Sequence, residues 1–201
     1  MSAILTSLRN TIIAGVALAI ILFILFSMTG ATSPSYGLAF WAYVFRYLHV
    51  LSGVMWIGLL WYFNFVQIPN MAKIPDEQKP AIGKVIAPSA LFWFRWGAMA
   101  TLVTGLGLAH LSGYLVDALL LGSQTGTPRN MIIGIGMWLA IIMWFNVWFV
   151  IWPNQKKALG IIQVEPDVKA KAGRTAMLFS RTNTLLSVPM LVCMVGQSHL
   201  S

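Results

Sequence analysis

The sequence predicts an all-α integral membrane bundle of about five transmembrane helices, and three observations predict it. Hydrophobic residues make up 58% of the 201 and charged residues only 9%, with a mean hydropathy of +0.78, a balance foreign to soluble domains. Five apolar runs are long enough to cross about 30 Å of hydrocarbon at about 1.5 Å per residue. Lysine and arginine gather in alternate loops, the asymmetry that cytoplasmic loops carry.

The runs follow in order. Helix 1, near 11–29, is "TIIAGVALAIILFILFSM" after Arg9. Such a run before "TGATSPS" also resembles the h-region of a signal peptide; with the chain starting at Met1, it is predicted to be retained as a helix. Helix 2, near 40–69, contains "RYLHVLSGVMWIGLLWYF", apolar and aromatic apart from one arginine and one histidine. Helix 3, near 88–116, carries Arg95 near one end and His110 near the other. Helix 4, near 130–152, runs up to "PNQKK", and helix 5, near 182–200, ends on His199. Residues 1–201 read as a single transmembrane domain.

Positive charge sets the orientation. Arg9 precedes helix 1; Lys73, Lys79 and Lys84 lie between helices 2 and 3; Lys156, Lys157, Lys169, Lys171, Arg174 and Arg181 lie between helices 4 and 5. Only Arg46 and Arg129 sit near the opposite ends. An inner-membrane protein with its N-terminus inside and its C-terminus outside is therefore expected. The net charge of +8 belongs to this topology rather than to a nucleic-acid partner.

Several chemistries are excluded. With one cysteine, Cys193, and no CxxCH, the chain holds neither a disulfide framework nor a covalent c-type haem. Its acids, Asp76, Glu77, Asp117, Glu165 and Asp167, all fall in loops or at helix ends, which leaves a proton-coupled pump without intramembrane carboxylates. No P-loop, nucleophile–base pair or inverted repeat is present.

What remains is three histidines, His49, His110 and His199, all in the outer half of their helices on this topology. Histidine inside a bilayer is costly, and neutral imidazole is a common axial ligand of haem iron. Gly53 and Trp56, four and seven residues after His49, share its helical face and leave a gap for a macrocycle edge. Gly107 and Gly113 flank His110. Each histidine also has a plainer reading: a helix-to-helix hydrogen bond for His49 and His110, a solvated end for His199. Arg46, among Trp41, Tyr43 and Tyr47, suits a haem propionate or a lipid phosphate. The tryptophans read as interface anchors and packing, and the methionines as core filler.

Four strings carry a resemblance: "LHVLSGVMWIG" at 48–58, "FWFRWGAMATLVTGLGL" at 92–108, "NVWFVIWPNQKKAL" at 146–159 and "SRTNTLLSVPMLVCMVGQSH" at 180–199. In order and local pattern they resemble the membrane domain of bacterial membrane-bound urate hydroxylases, the urate oxidase N-terminal family. The resemblance implies a multi-helix membrane protein, often longer than this chain and often followed by a cytochrome c domain that takes electrons from urate oxidation. It matches His49 to the family's helix histidine and His199 to the histidine of its terminal motif. Where the family has a histidine and a glutamate this chain has Phe92 and Gly97, and where it has a second histidine motif this chain has Thr182, Asn183, Thr184 and Leu185. Groups of the type that bind a purine or move its protons are missing.

The expectation is a cytochrome-b-like electron-transfer subunit holding one haem b near the outer face through His49 and His199, with His110 as the substitute. That requires helices 2 and 5 to be neighbours and the imidazole nitrogens roughly 4 Å apart. Its partners are the lipid bilayer and a larger membrane complex or a periplasmic electron carrier. The alternatives are a haem-free accessory subunit of a respiratory, photosynthetic or monooxygenase complex, and a urate oxidase that uses an external cytochrome c. Histidines alone suit copper as well as haem.

Overall fold

The computed structural model describes residues 2–28 and 37–199, and among these every regular element is helical. The chain divides into two compact units, Met1–Trp41 and Ala42–Ser201. In the first, a helical turn at Ser2–Leu5 precedes α1, Leu8–Met28. Ile12, Leu18, Ile21 and Leu25 of α1 are all half-exposed or more, so its apolar surface runs round the whole helix and calls for an apolar surrounding. The expected end of helix 1 at 29 and the "TGATSPS" stretch lie outside the described residues.

The second unit is built from α2, Leu38–Met71, entering from the first unit, then α3, Lys79–Leu111, α4, Pro128–Ala158, and α5, Pro166–Gly196. With α1 these make five helices long and apolar enough to cross a membrane. Side-chain contacts close α2 to α5 into a ring of antiparallel neighbours. Phe63 of α2 meets Phe94 of α3 edge-on at 5.7 Å, and Trp96 of α3 meets Trp148 of α4 at 5.3 Å. Asn146 of α4 bonds Asn183 of α5, and Ser187 of α5 accepts from Trp61 of α2.

Three of these helices run well past the apolar stretches. α3 begins at Lys79 rather than near 88, α4 runs to Ala158 rather than 152, and α5 begins at Pro166 rather than 182. An apolar run finds only the part of a helix that suits lipid, whereas "PDVKAKAGRTAMLFSR" is a good helix former with Pro166 at its first turn. At the other end α3 stops at Leu111, short of the expected 116. Gly113, at φ +77, turns the chain there, and Leu115–Leu119 is a separate short helix.

Each of α2, α3 and α4 contains one stretch of π-helix: Tyr62–Gln67, Ile82–Ile86 and Asn146–Ile151. Each ends two residues before a proline, at Pro69, Pro88 and Pro153. Proline has no N–H to give and its ring presses on the carbonyl four residues back. The residue before each proline donates five residues back instead: Ile68 to Phe63, Ala87 to Ile82, Trp152 to Val147. The wide turn thus accompanies the proline in these three helices, while Pro189 sits inside α5 without one.

The main core joins Trp56, Ile57, Leu60 and Phe63 of α2 to Leu91, Phe94 and Ala98 of α3, Met143, Val147 and Ile151 of α4 and Met190 of α5. A smaller one, Ala109, Ala118, Ile133 and Met137, lies under the short helix.

Candidate functional site

The α2–α3 seam places the first predicted residue. His49 is half-buried, and its Nδ1 lies 2.9 Å from the Thr101 carbonyl oxygen and 3.5 Å from Thr104 Oγ1. A bare carbonyl only accepts, so Nδ1 carries the proton and Nε2 keeps its lone pair. The ring lies in the notch left by Gly105, where an added Cβ would stand 2.8 Å from its Cε1. Phe45 fills the similar notch at Gly107, and Gly97 rests on the Trp56 backbone, its missing Cβ 3.3 Å from the Trp56 nitrogen. The gap expected over Gly53 is closed by Thr101, whose Cγ2 is 3.9 Å from where a Gly53 Cβ would be. Trp56 is buried in the core, with its Nε1 lacking a hydrogen-bond partner. At this seam α3 thus packs against the face of α2 that carries His49, Gly53 and Trp56.

The other two histidines are exposed. His199 borders an open, apolar cleft of about 500 Å³ that runs along α5 past Val188, Leu191, Val192 and Val195 to Trp61 of α2. His49 is not among its lining side chains. α2 and α5 are neighbours, as expected, through Trp61–Ser187 at 3.0 Å and Asn64–Ser180 at 2.8 Å. Among the described residues no group of three or more His, Cys, Asp or Glu side chains comes together.

Around the α3–α4 connection the polar groups are organised by Asp117, which is buried. One carboxylate oxygen accepts from the Gln124 and Thr125 backbone N–H groups; the other accepts from the Thr125 hydroxyl at 2.5 Å and from Asn130 Nδ2 at 2.8 Å. The Thr125 and Asn130 side chains hold its pKa below the ordinary carboxylate value. Burial pushes the Tyr114 hydroxyl up, against the charges of Arg46 and Arg129, which favour the phenolate. Arg46 is exposed, while Arg129 Nε donates to Gln197 Oε1 at 3.1 Å beside a cleft of about 320 Å³.

Polar groups outside the expected site residues lie deeper. Ser180, Asn183 and Ser187 are buried at helical spacing on one stripe of α5. Asn183 accepts from Asn146 Nδ2 at 2.8 Å and donates to the Met143 carbonyl at 2.9 Å. On α3 the Arg95 guanidinium lies 3.9 Å from the Trp152 ring and 5.2 Å from the Trp148 ring, both on α4. Its Nε and NH1, and the Nε1 of Trp144 and Trp148, are buried with no hydrogen-bond partner. The S-x-x-N-x-x-x-S spacing would have exposed the α5 stripe; nothing in the sequence pairs Arg95 with Trp152, 57 positions on.

Fold and site together define a class: an all-helical protein with five helices fit to cross a membrane and a polar seam through its helical core. Residues 110–201, a little under half of the chain, match the model of the urate oxidase N-terminal family, so this stretch is similar to that family. That stretch contains α4, α5 and His199. No curated protein and no solved structure matches the chain.

Proposed function

We propose that the chain is a multi-pass subunit of the bacterial inner membrane, N-terminus inside and C-terminus outside, that serves a larger membrane complex as a haem-free accessory and does not itself oxidise urate. The observation that carries this reading is Gly97. The resemblance puts a glutamate of the family there, but in this chain the position is the contact point of α3 on α2, with a Cβ already 3.3 Å from the Trp56 nitrogen. A carboxylate has no place in that seam. Of the other departures, Phe92, Thr182 and Leu185 are exposed, while the buried Asn183 is taken up by Asn146 and the Met143 carbonyl. The charge asymmetry supports the orientation, because nine of the basic residues fall in the two loops and helix extensions assigned to the inside.

The test is urate-dependent reduction of added cytochrome c by the purified chain. No turnover is expected, either in wild type or in Phe92→His. Steady turnover in wild type would overturn the reading. Reporter fusions in the 72–78 and 159–165 loops should report the cytoplasm and a fusion near 122–126 the periplasm.

A second reading, an electron-transfer subunit with a b-type haem, is favoured by one observation: His199 borders an apolar cleft of about 500 Å³. An absorption spectrum of detergent-purified protein, oxidised and dithionite-reduced, separates the two. Sharp reduced α and β bands that vanish in His199→Ala favour the haem; a featureless spectrum from folded protein made with haem available favours the accessory role.

A further inference from the structure

We infer that the α3–α4 face around Arg95 is a binding site for a phosphate group. The argument begins with an imbalance of charge. Arg95 keeps its proton in any protein environment, yet its Nε and NH1 are shut away from water with no acceptor. Stacking on Trp152 at 3.9 Å and on Trp148 at 5.2 Å offsets part of that cost through the ring faces, but supplies no acceptor to the N–H groups.

A second cation uses the same ring. Lys156, one helical turn after Trp152, has its ammonium nitrogen 5.7 Å from that indole. Two positive charges thus lie against one indole ring. Neither has a counter-ion, since the one ion pair among the described residues is Lys79–Asp76. The neutral polar group beside them, Trp148 Nε1, is a further buried donor without a partner. Every unanswered group in the cluster is a donor, and two of the side chains are cationic. The missing component is an anion rich in acceptors.

Guanidinium and ammonium together suit phosphate better than a carboxylate, because Arg binds two oxygens in its plane while Lys acts as a point charge on a third. Arg95, Trp152 and Lys156 are all half-buried, so the cluster is open at its outer edge, and its shut-away donors meet an anion once the guanidinium turns on its ring. Two sources present the same chemistry there: the headgroup of an anionic phospholipid, and free phosphate or a phosphomonoester.

The measurement is the thermal unfolding midpoint of the full chain in a neutral detergent. The additions are dioleoylphosphatidylglycerol, dioleoylglycerol as the phosphate-free control, and inorganic phosphate against sodium chloride of equal ionic strength. Wild type should be stabilised by a phosphate source over its control. Stabilisation by the phospholipid alone assigns the headgroup; stabilisation by inorganic phosphate as well assigns a site open to soluble phosphate. Lys156→Gln, a surface change that leaves the core intact, should need about tenfold more of the same addition for half the effect. Arg95→Gln should abolish the response where it folds, and Lys156→Gln carries the test where it does not. No stabilisation by either phosphate source, or an unchanged dose response in Lys156→Gln, would overturn the assignment.

Discussion

At the scale of single residues, His49 shows how one side chain serves a seam. Its imidazole answers a helical carbonyl of α3 and occupies a volume that exists only because residue 105 is glycine. Gly105→Ala should push the ring off the Thr101 carbonyl and cost about 1–3 kcal/mol, read as a lower unfolding midpoint in detergent. His49→Ala should leave a void and take one donor from the Thr101 carbonyl, which keeps the Thr104 hydroxyl at 3.3 Å, so the double variant should lose less than the sum of the two singles. Asp117 is the counterpart in the connection. Its depressed pKa means that the folded state favours the carboxylate, so its contribution is complete above the ordinary pKa of about 3.9 and is lost as pH falls through the lower folded value. Amide exchange of residues 120–127 should therefore accelerate in acid in wild type. In Asp117→Asn it should be fast at neutral pH and change little with acid.

At the scale of helices, proline placement decides the phase of three of them. Pro153 lies inside α4 and accompanies the wide turn Asn146–Ile151, which re-phases the helix between the Asn146 bridge to α5 and the Trp152 stack on Arg95. Pro153→Ala should allow regular α-helix there and move one of these partners out of register. Near-ultraviolet circular dichroism, dominated by tryptophan, should change while the far-ultraviolet helix signal stays or rises. An unchanged near-ultraviolet spectrum would show that the wide turn has another cause. The proline positions are plain in the sequence, but an apolar run takes no notice of them. That is why α4 was expected to stop at 152 and instead passes through Pro153 to Ala158.

At the scale of the molecule, the second unit is held by close glycine contacts on the α2–α3 side and by amide bridges on the α4–α5 side, the two devices open to helices whose surfaces are apolar all round. Asn183 is fully buried and serves two partners, Asn146 and the Met143 carbonyl. Asn183→Ala should thus strand both and cost about 1–3 kcal/mol, whereas Asn146→Leu with Asn183→Leu should recover part of that loss, because a vacated pair costs less than a half-empty one. Thermal melts of the single and double variants measure the difference.

The sequence by itself determined the five helices, their order and the family resemblance of the C-terminal stretch, since length, apolarity and local motif strings are all properties of contiguous residues. It also located His49 as a residue with work to do. Only the tertiary structure decided what that work is, that Gly53 faces Thr101, that the cleft beside His199 is bordered by Trp61, and that Arg95 and Lys156 both meet Trp152. The physical reason is that, outside the polar stripe of α5, helices apolar on every side carry no mark to say which face meets which neighbour. Facing is then set by where glycines let backbones approach and where prolines shift the phase, and both act between residues far apart in the chain.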